Sequence, residues 1–301
     1  MSDTRLVVFI TGATVGLGRL TAKKCIGAGH TVVITGRTEQ KLKDAKQWIL
    51  KDTPQYEENL HGLVMDLLDT PSMKKAVEKL GALGLPAIDV IVHNAGGTRR
   101  EFSQIHGYES TIYMNAVAPL LLNQMLLPFI EKSQHPSKRI IFIASQIHNP
   151  EINGGGGGES RKIPKDVQVA DFKGDKKNWD SMKYYKMSKL AVIWIAFSLA
   201  KKYPSIKSIA ICPGFVPTTE LARNSSYVLR MAMKYAISKF NFATTEDDST
   251  DFYMFHITNP DIKTGAYYEK TEPATPSEDA LNITKQEEFY QLAEKTVEEN
   301  M

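Results

Sequence analysis

The feature that most constrains this chain is an alternation. Short apolar runs rich in β-branched residues recur at Leu6–Thr11, Thr31–Thr35, Gly62–Asp66, Ile88–His93, Arg139–Ala144 and Ser208–Cys212. Each is bounded by Gly, Pro, Asp or Asn, as expected of strands covered on both faces. Segments with helical spacing lie between them: Leu17–Ala28, Glu39–Leu50, Ser72–Leu80, Tyr108–Glu131 and Tyr184–Lys202. Strand and helix in strict turn predict βαβ units with right-handed crossovers. The expected fold class is α/β and doubly wound, with a central, mostly parallel sheet of about seven strands and helices on both faces.

Two stretches break the rhythm. Residues 149–180 open with Asn149-Pro150, pass through five glycines (Gly154–Gly158) and then mix lysines with aspartates. They read as an insertion, with Asp166–Phe172 as its one strand candidate. The tail carries Pro260, Pro273 and Pro276, a strand-like piece at Gly265–Tyr268 that could add a sheet edge, and an acidic helix from about Thr284 to Glu299. No stretch reads as a linker, so residues 1–301 are expected to form one domain, with a substrate loop at about 215–242.

Composition removes several classes. A net charge of +3 over 301 residues is too mild for nucleic acid or an anionic membrane as main partner. Two cysteines, Cys25 and Cys212, exclude a disulfide framework and a cysteine-rich zinc site. The 7 histidines show no metal-ligand spacing. No apolar stretch reaches the length of a membrane span, and the N-terminus, with Asp3, does not read as a secretory signal. The expectation is a cytoplasmic protein with a small-molecule partner.

Thr11-Gly12-Ala13-Thr14-Val15-Gly16-Leu17-Gly18 joins the first expected strand to the first expected helix. Small residues let backbone approach a pyrophosphate, and a helix N-terminus offers free N–H groups to an anion. A tight turn that merely needs glycine is the plainer reading. After the second strand comes Gly36-Arg37-Thr38, with no acidic residue before Glu39 to hold a ribose 2′-hydroxyl. Arg37 suits a 2′-phosphate, with Lys41 one turn on, so NADP(H) is favoured over NAD(H).

Tyr185-Lys186-Met187-Ser188-Lys189 starts an apolar helix, and Tyr185 and Lys189 are i and i+4 on one face. An ammonium beside a phenol favours the phenolate, which would lower the tyrosine pKa toward working pH, as an acid–base catalyst needs. Tyr184 competes, but its i+4 partner is Ser188, which carries no charge.

With these residues assembled, the sequence resembles a short-chain dehydrogenase/reductase of the TGxxxGxG, YxxxK type, built on a Rossmann fold. The resemblance runs over roughly residues 5–220 in five ordered blocks. Thr11–Gly18 resembles the glycine motif, and Asp66 the aspartate that meets the adenine ring. His93-Asn94-Ala95-Gly96 is similar to the NNAG block, with histidine in first place. Tyr185 and Lys189 resemble the catalytic pair, and Pro213-Gly214-Phe215-Val216-Pro217-Thr218 the motif that shapes the nicotinamide pocket.

The resemblance implies cofactor contacts from Gly12, Thr14, Gly16, Leu17, Gly18, Asp66, Asn94, Ala95, Gly96, Lys189, Pro213, Gly214, Val216 and Thr218. It also implies catalytic roles for Ser145, at the end of the fifth strand, and Asn115, in the long apolar helix. Hydride transfer between nicotinamide and a carbonyl follows, with Tyr185 as general acid/base, Lys189 holding the ribose, Ser145 orienting the carbonyl and Asn115 ordering a relay water. The run Met187–Ala191 and the tail piece Thr264–Tyr268 resemble the retinol dehydrogenase and protochlorophyllide reductase-like branch, and a soluble carbonyl reductase is the expected member. A non-catalytic NADP(H)-binding regulator and a reductase of an activated C=C bond stay open. An insertion before the tyrosine resembles that of monomeric carbonyl reductases, which implies a monomer or dimer.

Overall fold

The computed structural model describes residues 5–152, 161–216 and 243–301. Seven parallel strands, β1 (Val7–Ile10), β2 (Thr31–Gly36), β3 (Leu60–Val64), β4 (Val90–His93), β5 (Arg139–Ile143), β6 (Lys207–Cys212) and β7 (Ala266–Glu269), form one sheet closed at one edge by antiparallel β8 (Glu272–Ala274). Their order is β8-β7-β6-β5-β4-β1-β2-β3, so the chain reverses its direction of winding between β1 and β4. That reversal opens a crevice at the carboxyl ends of the two strands, where doubly wound sheets bind ligands.

The main helices are α1 (Gly16–Gly27), α2 (Glu39–Ile49), α3 (Thr70–Gly81), α4 (Ala118–Glu131), α5 (Ser181–Lys202), α6 (Glu246–Thr258) and α7 (Ile283–Asn300). Because side chains alternate along a strand, each strand feeds two cores. Val8, Ile10, Val32, Ile34 and Val92 pack with Ala22, Cys25, Leu42 and Tyr253 of α1, α2 and α6. Phe9, Val33, Ile91 and Phe142 face the other way, toward Met73, Leu121, Trp194 and Phe289 of α3, α4, α5 and α7. Contrary to the expectation that no apolar stretch is long enough, Ser110–Glu131 could cross a membrane by length and composition alone. Here it is a core helix, with Leu120, Leu122, Leu126 and Ile130 fully buried.

Three other expectations change. Asp166–Phe172 is not a strand; Val169–Lys173 forms a 3₁₀ turn that ends at Gly174, φ 79°. Its Phe172 is drawn into the core between Trp194 and Phe289, at ring distances of 5.6 and 4.9 Å, so burial of one aromatic overrides local propensity. The strand at Ala266–Glu269 is not an edge, because Glu272–Ala274 folds back over it. The true edge strand carries Pro273, which lacks an N–H and suits that place. Helix α6 had no place in the sequence pattern, although Thr245 caps it and Glu246, Asp247 and Asp248 fill its first turn. Gly154–Gly158, Thr218 and the segment 219–242 lie outside the described residues.

Candidate active site

The crevice is walled on one side by backbone. Gly12 has φ +64°, and a Cβ there would stand 2.8 Å from that of Ala95. Gly16, φ +57°, faces open space. A Cβ on Gly18 would collide with Asn94 Nδ2, and one on Gly36 with Thr14 Cγ2. The loop is pinned by Gly12 N–H to Thr35 Oγ1 and Ala13 N–H to Thr35 O, both 3.2 Å, and by Ala95 N–H to Thr11 Oγ1 at 2.9 Å. Helix α1 starts after Val15, whose side chain can cap nothing, with Leu17 in its first turn. By contrast, Thr38, Asp180 and Thr245 cap α2, α5 and α6. The first N–H groups of α1 therefore point into the crevice without a side-chain partner, the arrangement a phosphate needs.

Around this wall, Arg37 and Lys41 are exposed at the start of α2, directly beyond Gly36. Asp66 follows β3, with Oδ1 accepting from Leu68 N–H at 3.0 Å. Gly214, φ +86°, packs against Thr244, and Val216 is buried beside the end of β6.

The other wall is made of side chains. Asn115 sits in a π-turn, Tyr113–Val117, that interrupts the helix before α4, as such bulges often do at functional sites. Its Nδ2 donates to Gly97 O (2.9 Å) and Ser188 Oγ (2.8 Å), and its Oδ1 accepts from Gly97 N–H at 3.0 Å. Ser188 Oγ in turn donates to Tyr185 O at 2.6 Å, tying Asn115 to α5. Lys189 Nζ donates to Ile143 O at 2.6 Å and lies 5.4 Å from the Tyr185 ring centroid. A Cβ on Gly96 would stand 2.9 Å from Asn115 Oδ1 and 3.9 Å from Lys189 Nζ, so the NAG block, Asn115 and Lys189 converge.

Ser145 lies two residues beyond Ile143 in extended backbone. Its carbonyl contacts His148 Nδ1 at 2.7 Å, and His148 Nε2 accepts from Ser277 N–H at 3.1 Å. Cys212 Sγ accepts from Gln146 N–H at 3.3 Å. Tyr184 is on a different helix face, its hydroxyl accepting from Asp175 N–H at 3.0 Å, which leaves Tyr185 at the crevice.

The electrostatics depart from the expectation for the pair. Burial pushes the Tyr185 phenol above its ordinary range, with a smaller push from Cys212. Burial also draws Lys189 down to about 8, partly opposed by Cys212. Burial therefore outweighs the pull of the neighbouring ammonium toward the phenolate, and the lysine loses its proton before the tyrosine does. At neutral pH both groups stay protonated, so the Tyr185 hydroxyl has a proton to give.

Ser188, His148 and Tyr253 escaped the sequence reading. Ser188 lay inside the motif as a mere neighbour. His148 contacts Ser145 three residues away but is fixed by Ser277 across 129 positions, and Tyr253 reaches Asn94 across 159, separations that no local spacing signals.

A crevice of this kind, backbone and bare helix N-terminus on one wall and a tyrosine–lysine pair on the other, marks the class of nicotinamide-dinucleotide oxidoreductases. The family model for short chain dehydrogenases matches residues 6–155. The chain belongs to the short-chain dehydrogenase/reductase family. It is 29% identical to the dehydrogenase/reductase SDR family member FEY of Arabidopsis thaliana over 97% of this chain and 78% of that protein. It is 26% identical to the chloroplastic protochlorophyllide reductase of Pisum sativum, over 96% and 77%. Its fold matches a short-chain dehydrogenase of Escherichia coli CFT073 crystallised with NADPH, at TM-score 0.62 and 21% identity over 89% and 97%.

Proposed function

We propose that this protein is an NADP(H)-dependent oxidoreductase that interconverts a ketone or aldehyde and the matching alcohol, with Tyr185 as general acid/base. The observation that carries the reading is the convergence of Tyr185, Lys189 and Asn115 with Gly96 at the switch-point crevice. The crevice suits a dinucleotide: side chains are excluded at Gly12 and Gly18, and α1 presents uncapped N–H groups.

When bound, the nicotinamide supplies the hydride. Gly12, Thr14, Gly16, Leu17 and Gly18 would hold the pyrophosphate, and Asn94, Ala95, Gly96 and Lys189 would border the nicotinamide ribose. Asp66 would meet the adenine, while Pro213, Gly214 and Val216 would line the nicotinamide pocket, with Thr218 beyond them in sequence. Arg37, assisted by Lys41, would pair with a 2′-phosphate. Both are exposed and lie next to the loop, with no carboxylate between Gly36 and Glu39. The NADPH in the Escherichia coli relative agrees with this preference.

Ser145 would donate to the substrate carbonyl oxygen and Tyr185 would deliver its proton there as the alkoxide forms. Burial keeps Tyr185 protonated, which favours the reductive direction; alcohol oxidation needs the phenol to lose that proton and is expected to quicken with rising pH. Asn115, its side chain fixed by Gly97 and Ser188, would use its backbone to order a relay water.

A second reading, reduction of an activated C=C bond, is favoured by the similarity to protochlorophyllide reductase across 96% of the chain. It uses the same tyrosine. The test is oxidation of NADPH and NADH against a panel of ketones and aldehydes, with an enone whose carbonyl is blocked from reduction. Ketone turnover with NADPH supports the first reading, enone turnover alone the second. Tight NADPH binding with no turnover would favour a non-catalytic regulator. A monomer or dimer is supported by Phe172, which docks the insertion on Trp194 of α5. A cytoplasmic setting is supported by two buried free thiols.

A further inference from the structure

Tyr253 lies on α6, outside the span matched by the family model, and 1% of its surface is exposed. Its hydroxyl donates to Asn94 Oδ1 at 3.1 Å. Asn94 spends its other end on the glycine loop: Nδ2 donates to Thr11 O at 2.9 Å and to Gly12 O at 3.3 Å. Those carbonyls belong to the turn whose N–H groups and bare helix end form the dinucleotide cradle. An amide can sit either way round in its plane, and the choice depends on its partners. With the phenol on one side and two carbonyls on the other, only one orientation satisfies every group. The reverse would set Oδ1 against two carbonyl oxygens.

Gly18 reports the same constraint, because a Cβ there would strike Asn94 Nδ2. The amide thus stands wedged between α1, the end of β1 and α6. Burial raises the Tyr253 phenol above its ordinary range, so it remains a donor at any working pH. Helix α6 is further fastened to α1 by Lys24, whose Nζ pairs with Asp251 at 2.6 Å and Asp247 at 2.8 Å.

We propose that Tyr253 is a positioning residue for the dinucleotide site, acting through Asn94 to hold the Thr11–Gly12 backbone in its cofactor-accepting shape. The inference rests on the dinucleotide reading above. Without the hydroxyl, the half-buried Asn94 keeps an acceptor with no protein partner and the amide is free to turn, which loosens the cradle rather than the chemistry.

The test measures the Kd for NADPH by fluorescence titration in the wild type, Tyr253→Phe, Asn94→Ala and the double variant, with kcat and Tm alongside. Tyr253→Phe should weaken NADPH roughly tenfold, the scale of one lost hydrogen bond to a half-buried amide, with kcat at saturating NADPH within about twofold. The double variant should bind about as Asn94→Ala does, since Tyr253 acts through that amide. An unchanged Kd with a lowered Tm would make Tyr253 merely structural and overturn the proposal, as would additive losses in the double variant. If Tyr253→Phe fails to fold, Asn94→Asp serves, because it keeps the acceptor for Tyr253 but turns a carboxylate oxygen on the two carbonyls. Its NADPH binding should fall at least as far, and an unchanged Kd would overturn the proposal. A wild type that binds NADPH but reduces no carbonyl sinks the proposed reaction and leaves this inference standing. A wild type that binds neither dinucleotide sinks both.

Discussion

The two walls of the crevice are built by opposite means. The cradle is backbone: glycines that exclude side chains, a helix end that no side chain caps, and a loop pinned by hydrogen bonds to β2 and to the turn after β4. The catalytic wall is side chains, and nearly every one is held by a residue far along the chain. Asn115 leans on Ser188, the Ser145 loop on His148 and Ser277, and α5 on the insertion through Phe172 and Trp194. Backbone sites need few residues close together in sequence. Side-chain sites need an outer frame, here supplied by the second half of the chain. The difference implies that binding and chemistry can be damaged separately.

Tyr185→Phe should give the largest effect. Removing the proton donor should lower kcat about 10²–10⁴-fold while the Kd for NADPH stays put. A matching loss of NADPH binding would break the separation of the two walls. Phe172→Ala comes next. Phe172 is fully buried, and the cavity should cost about 3–5 kcal/mol in urea unfolding, again with NADPH binding retained. Arg37→Ser acts on the cradle alone. Loss of a charged hydrogen bond should raise the KM for NADPH about 10- to 100-fold and leave that for NADH unchanged, as steady-state kinetics would show.

A separate prediction concerns pH. Burial holds His148 and His256 at about 4 and His93 at about 3, all below the ordinary 6.5. The unfolded chain binds these protons first. The contribution of each histidine is therefore complete above pH 6.5 and lost as pH falls toward 4, at up to about 1.4 kcal/mol per pH unit each. Tm should decline across that window, and His148→Gln should shallow the slope. A flat Tm from pH 7 to 4.5 would show that these rings are not held neutral.

The cradle was legible because its physics is local. Glycines at 12, 16 and 18 and an arginine after β2 are set within one βαβ unit, and each has a steric or charge reason visible in the sequence. Tyr185 and Lys189 were legible too, because i and i+4 share a helix face. What the pair does electrostatically was not. Burial acts on both groups at once and sets the lysine below the tyrosine, and burial is a property of everything packed around them.

Helix α6 shows a different failure. Its capping Thr245 and acidic first turn were readable, but its apolar side is narrow: Tyr253 and Ile257 are buried among many polar neighbours. The periodicity that identified the other helices is therefore weak there.

By itself the sequence determined the alternating architecture, the place of the glycine turn and the i, i+4 pairing of Tyr185 with Lys189. Each depends on periodicity or spacing within a few residues. Only the tertiary structure decided that β8 closes the sheet, that the insertion packs through Phe172, and that Tyr253 reaches Asn94 across 159 positions. Those outcomes depend on which apolar surfaces are buried together and which buried polar groups find partners, and both are settled only when the whole chain is packed.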